Sequence, residues 1–133
     1  MHAQVLPLKA SYPKARFILR HQVQPWHPSS TLVHEAALAV ERLSPKGLLP
    51  FSVALMQRQK EYFDVSVVGE TRNQTYGRLA KLAEETVGVS ADAVLELLRI
   101  GEKPGTDWAL NIGNKVRIHV YALAARLVLT GFR

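Results

Sequence analysis

The chain of 133 residues contains no cysteine. A thiolate is both the attacking and the leaving group in disulfide exchange, so this protein cannot carry out that reaction by itself. Thiolate metal ligands are excluded for the same reason, and no set of histidines and carboxylates stands at the spacing of a metal site. We therefore expect no thiol–disulfide activity, no metal and no other cofactor.

Long apolar runs are also missing. No run approaches the roughly 20 residues that a helix needs to cross a bilayer, and the N-terminus carries charges and prolines where a signal peptide has its apolar segment. The hydrophobic content of 47% is nevertheless enough to build a core in a chain of this length. We expect one soluble domain, residues 1–133, located in the cytoplasm and not at a membrane.

The net charge of +6 is unevenly distributed. Residues 1–28 contain four lysines and arginines and no acid, whereas residues 29–100 contain eight basic and nine acidic side chains, interleaved along the sequence. A nucleic-acid-binding domain usually collects its basic side chains on one face, with aromatic or polar residues between them. The charge pattern therefore argues against nucleic acid as a partner.

One short strand is predicted near the N-terminus. The segment at residues 15–24 is apolar, short and bounded by Pro13 and Pro25, as is typical of a strand. Pro25 and Pro28 together predict a rigid turn before the first helix.

Apolar periodicity predicts four helices within residues 29–100 and a last helix at residues 114–129. Ser29 or Ser30 is the expected N-cap of the first helix, which should end near Ser44. The second helix should begin at Pro50, since proline is tolerated in the first turn, and run to about Phe63.

The third and fourth helices have clearer signals. Thr71 and Gln74 have the spacing of a capping box, and Gly88 stands where a helix ends in a left-handed residue. Ser90 is the expected cap of the fourth helix, and Gly101 its stop. The fold class that follows is mainly α with one or two short strands.

A lone strand has unpaired backbone groups on both edges, and these groups need partners. A two-fold homodimer that pairs the strand with its symmetry mate is the expectation that we favour. Two alternatives are packing of the strand between helices and a second short strand at residues 3–8.

Two stretches of the sequence, QPWHPSSTLVHEA and TRNQTYGRLAKLA, resemble eukaryotic, especially fungal, DsbA-like proteins of the thioredoxin fold. The resemblance extends over residues 15–116. It implies that residues 15–24 are the second strand of a thioredoxin sheet and that residues 29–100 are the helical insertion of this branch. The cysteine turn, the cis-proline turn and the terminal strands of the family are not recognisable, so the resemblance implies only a partial sheet.

Three histidines, His21, His27 and His34, are the candidate catalytic residues. Histidine accepts and donates protons near neutral pH, and the proline turn would hold His27 rigidly. For each of them, a purely structural role in or near a helix is the alternative. Asp64 and Glu70 form a second, weaker pair of acid and base candidates, which a position beside a loop also explains as solvated surface.

The candidate substrate-binding residues surround these histidines or provide hydroxyl donors to a developing oxyanion. They are Trp26, Gln24, Gln22, Tyr62 and Tyr76. Trp26 has the alternative role of a core or interface anchor.

The functional hypothesis is a cofactor-free protein that acts on a small hydrophobic molecule by histidine acid/base chemistry, as an isomerase, cyclase or dehydratase does. The alternative is a non-catalytic binding or oligomerisation domain derived from a DsbA-like oxidoreductase. An enclosed apolar pocket beside His27 or His34 would favour the first, and a flat apolar patch the second.

Overall fold

The computed structural model describes residues 26–99, together with residues 11, 12, 14, 22–24 and 102. Residues 26–99 form five α-helices and two 3-10 turns, and they contain no strand, so the mainly α prediction is confirmed for this part of the chain. The helices are α1 (Pro28–Leu43), α2 (Leu48–Gln57), α3 (Asp64–Val67), α4 (Arg72–Val87) and α5 (Ala91–Leu98). The 3-10 turns are Pro45–Gly47 and Gln59–Tyr62.

Two predicted elements fall largely or wholly outside the described residues. Of the strand expected at residues 15–24, only residues 22–24 are described, and these three are not part of a strand. The helix expected at residues 114–129 and the stop at Gly101 lie outside the described residues and stay predictions.

The core lies between α1 and α4, which pack against each other and against α2 and α5. Each of these two helices has 16 residues and buries one apolar face. The faces are those that the periodicity predicts, with Ala36, Ala37 and Val40 buried on α1 and Leu79 and Leu82 buried on α4. None of the helices within residues 26–99 combines the length and the apolarity that a bilayer crossing requires.

Both ends of α4 are as predicted. The Thr71 hydroxyl accepts from the backbone N–H of Gln74 at 3.3 Å, and the Gln74 side-chain oxygen accepts from the N–H of Thr71 at 2.7 Å. At the other end, Gly88 has a φ of 70°, and its N–H donates to the carbonyl of Glu84. The helix therefore begins and ends at residues that satisfy its terminal backbone groups.

The start of α1 differs from the prediction, because a side chain from elsewhere takes the capping role, whereas α5 begins after Ser90 as predicted. Neither Ser29 nor Ser30 is the N-cap of α1; the N-cap is His27, and the N–H of Ser29 donates to the carboxylate of Asp64. Ser90 is the N-cap of α5 but makes no capping bond with its side chain.

The length of α2 also differs from the prediction. It begins two residues before Pro50 and ends at Gln57, and the chain to Tyr62 forms a 3-10 turn instead of continuing the helix to Phe63. The side chain of Arg58, at the C-cap of α2, is bound to Glu61 inside this turn, which stabilises the tighter geometry.

We expect Gly77→Ala to stabilise the protein and Gly88→Ala to destabilise it. Gly77 lies within α4, and a β-carbon there would meet nothing within 4 Å, so alanine gains about 1 kcal/mol of helix propensity. At Gly88 the positive φ makes an L-residue cost ~1–2 kcal/mol. Urea unfolding of the two variants measures both changes, and equal effects of the two substitutions would contradict this account.

Candidate functional site

The main candidate site is a groove of about 580 Å³, open to solvent, between the first turn of α1, the short helix α3 and the first turn of α4. The apolar residues that line the groove are Pro28, Leu32, Val67 and Val68. Its polar residues are Ser29, Thr31, Asp64, Glu70, Arg72 and Thr75. Such a mixed lining fits a small molecule with an apolar body and a polar end.

Asp64 joins α3 to the start of α1. One carboxylate oxygen accepts from the backbone N–H of Ser29 at 2.9 Å, and the other lies 2.9 Å from Nδ1 of His27. A proline follows the N-cap in the sequence and has no N–H, so the Ser29 amide is the first helical donor that needs a partner. A carboxylate at this position also interacts favourably with the helix dipole.

The contact with Asp64 determines which tautomer a neutral His27 adopts. The Ser29 amide in first place, and then the His27 side chain, hold the pKa of Asp64 below its ordinary value. Asp64 is therefore ionised at neutral pH and can only accept, so Nδ1 of a neutral His27 carries the proton and Nε2 keeps the lone pair. This is the tautomer in which a carboxylate-oriented histidine acts as a general base.

A buried network lies behind the groove. Glu35 on α1 is almost completely buried, and its carboxylate accepts from the hydroxyl of Tyr76 and, at 2.7 Å, from Nη2 of Arg72. Arg72 also donates from Nε to the Tyr76 hydroxyl oxygen at 2.7 Å. Burial, together with the hydrogen bond to Glu35, raises the pKa of Tyr76, so its hydroxyl stays protonated. The network holds the guanidinium of Arg72 in place at the edge of the groove.

Glu70, the second carboxylate that borders the groove, is paired on both oxygens. It accepts from Nη1 of Arg78 at 2.5 Å and from the hydroxyl of Thr75 at 2.8 Å. Arg78 also stacks over the ring of Tyr62 and donates to the carbonyl of Glu61. Asp64 and Glu70 thus border one groove, but each already has its own partners.

The predicted catalytic residues His27 and His34 have different surroundings. His27 stands beside Asp64 with 57% of its side chain exposed. His34 lies half-buried on α1 and does not line the groove. His21 lies outside the described residues.

The predicted binding residues do not all gather at the groove. Trp26 is 70% exposed and meets the His27 ring edge-on, while Gln22 and Gln24 are also exposed. Tyr62 and Tyr76 are buried. The enclosed apolar pocket that would favour an enzyme does not occur around His27 or His34 among the grooves found in the described part of the chain.

Sequence reasoning missed Glu35 and Arg72. Glu35 occupies a position within the apolar face of α1. An acidic residue at a position predicted to be buried is the feature of the sequence that could have indicated its role. A buried carboxylate requires a cation or several donors, which predicts that some basic side chain reaches it. Nothing local in the sequence indicates that this side chain is Arg72, 37 residues later.

Within residues 26–99 and the few other described positions, no three histidine, aspartate or glutamate side chains lie close enough together to hold a metal ion. Comparison with known proteins finds no matching family model, no matching curated protein and no matching solved structure. The resemblance to DsbA-like proteins accordingly stays a prediction.

We expect the pKa of Asp64 to lie below the ordinary aspartate value of about 3.9. A lowered pKa means that the stability contributed by the ionised carboxylate is present above the ordinary value and is lost as the pH falls through the lowered one. The titration of its side-chain carbonyl carbon, followed by NMR, measures this pKa directly.

His27→Ala is the matched control for that titration. The Ser29 amide is the largest contributor to the shift, so the substitution should raise the pKa of Asp64 only part of the way to its ordinary value. A normal pKa in the unchanged protein would contradict the description of Asp64 as the cap of α1.

Proposed function

We propose that this protein binds a small, largely apolar molecule in the groove between α1, α3 and α4, and that His27 acts on it as general acid and base. The observation that carries the proposal is the position of Asp64. Its carboxylate lines the groove and at the same time contacts Nδ1 of His27. His27 itself does not line the groove, so the proposal requires a ligand that extends past Asp64 to the imidazole.

No cofactor is required for this chemistry. Proton transfer by a positioned histidine contributes typically 10²–10⁴-fold to a rate, which is enough for an isomerisation, a cyclisation or a dehydration of an activated substrate. We also propose that the protein is located in the cytoplasm. The scaffold that we propose is DsbA-like, with residues 29–100 as the helical insertion of a thioredoxin-like fold without a redox site.

A nitrobenzisoxazole is a suitable probe, because it is small and apolar and is opened by a general base. The base takes the proton from the ring carbon, the electron pair of that C–H bond forms the nitrile, and the N–O bond breaks to release a coloured cyanonitrophenolate. We expect saturable release of this product and a loss on the order of 10²-fold in His27→Ala.

The same assay ranks the three candidate histidines. His21→Ala and His34→Ala test the other two positions, and His119→Ala is the matched control for the loss of a histidine that has no assigned role. If none of the first three variants loses the saturable rate, the acid/base proposal is wrong, whereas binding of the probe in the groove can be followed separately by NMR.

A second candidate function, self-association through an apolar surface, is favoured by the residues around α3. Val65 is 82% exposed and Val68 is 85% exposed, and Phe63 is also exposed. Large apolar side chains that are close together on a surface are typical of interfaces. As the alternative to a ligand that covers Val68, we propose that this surface forms the contact of a homodimer.

Lysine at both Val65 and Val68 should convert such a dimer to a monomer, because two charges would be buried in the interface. The molar mass in solution, measured by light scattering over a range of concentrations, gives the result. Met56→Lys, at another exposed apolar position, is the matched control and should leave the mass unchanged. A monomeric wild type, or a dimer that survives both lysines, would exclude this surface as the contact.

A further inference from the structure

Arg72 is the one cation that lines the groove in the described part of the chain, and its guanidinium is held by buried groups. Nε donates to the Tyr76 hydroxyl and Nη2 to the Glu35 carboxylate, each at 2.7 Å. Tyr76 is fully buried and Glu35 almost so, whereas the Arg72 side chain is 33% exposed. The groove thus has in its lining a cation that is held in position by two buried groups and is one-third exposed.

Neither carboxylate of the groove is paired with Arg72 in the described part of the chain. Glu70 is bound by Arg78 and Thr75, and Asp64 by the Ser29 amide and His27. Each of them thus has donors of its own, at hydrogen-bonding distance. An anionic group that enters the groove finds in Arg72 a cation that is already oriented, which lowers the entropy cost of binding.

The groove also contains the apolar surface that the rest of such a ligand needs. Leu32, Val67 and Val68 are part of its lining. A charge-assisted hydrogen bond from a guanidinium to a carboxylate is about twice as strong as a neutral one. We propose that the ligand of the groove is a small amphipathic carboxylate, whose carboxylate binds the guanidinium of Arg72 and whose apolar part covers Val67 and Val68.

This inference rests on the proposed function, because it names the ligand class of the same groove. It assigns Arg72 as a binding residue, and Glu35 and Tyr76 as positioning residues that act through it. The competing account is that the three side chains only stabilise the packing of α1 against α4. The two accounts differ in what they predict for binding, since a purely structural contact gives no preference for an anionic ligand.

The test is an NMR titration of the full chain with three probes of equal chain length, octanoate, octanol and octylammonium. We expect octanoate to bind most tightly and to shift the backbone amides of Thr31, Val68 and Thr75. Octanol that binds as tightly as octanoate, or octylammonium that binds more tightly, would overturn the assignment of a carboxylate ligand. If none of the probes shifts these amides, the groove is not a site for small apolar molecules and the proposed function fails with it.

Variants separate binding from positioning. Arg72→Gln should reduce the affinity for octanoate on the order of tenfold or more, which corresponds to the loss of about 1.4 kcal/mol, and leave the affinity for octanol unchanged. Tyr76→Phe retains the charge of Arg72 but removes one of its two anchors, so it should reduce the preference for octanoate over octanol to a smaller extent. Tyr62→Phe is the matched control, since the ring of that tyrosine contacts Arg78 and not Arg72.

If Arg72→Gln does not fold, the comparison of the three probes on the wild-type protein still tests whether the groove prefers a carboxylate. Arg72→Lys adds a variant that preserves the positive charge and can still pair with Glu35. An affinity for octanoate that is the same in folded Arg72→Gln as in the wild type would overturn the role of Arg72.

Discussion

The carboxylate of Glu35 is the constraint on which the arrangement of α1 and α4 depends. It lies on the buried side of α1, where an unpaired charge would cost several kcal/mol. Arg72 and Tyr76 satisfy it together, and they can do so because residues four apart lie on the same face of α4. The pairing therefore sets how α4 is rotated against α1, and it places the first turn of α4 beside the first turn of α1, where the groove forms.

Asp64 imposes the second constraint. Its carboxylate supplies the cap that the sequence around the start of α1 does not provide, and because Asp64 is also the first residue of α3, the same contact fixes α3 against α1. His27 takes the remaining carboxylate oxygen. A single side chain thus closes one wall of the groove and orients the histidine, so that the structure and the proposed chemistry depend on the same hydrogen bonds.

The features that the sequence predicts well are those whose partners are close along the chain. The capping box of Thr71 and Gln74, the left-handed Gly88 and the apolar faces of α1 and α4 all depend on neighbours within about four residues. The cap of α1 comes from 35 residues away and the partner of Glu35 from 37 residues away, and no local pattern specifies such pairs. For this reason the sequence directs attention to His27 but not to Arg72, and to Asp64 as a solvated acid but not as a cap.

The two residues to which a role is assigned, His27 and Arg72, are held in position in the same way. Each is a donor that is held by a carboxylate on a different helix, His27 by Asp64 and Arg72 by Glu35. A side chain fixed in this way loses little further freedom when a ligand binds, so more of the interaction energy is expressed as affinity. Stability alone does not require that both held groups stand at or beside the edge of one groove, since a buried carboxylate can be satisfied equally well inside the core. Arg72 lines the groove, and His27 contacts Asp64, which lines the same groove. This proximity is the reason for connecting the acid/base group and the anion-binding group with one ligand.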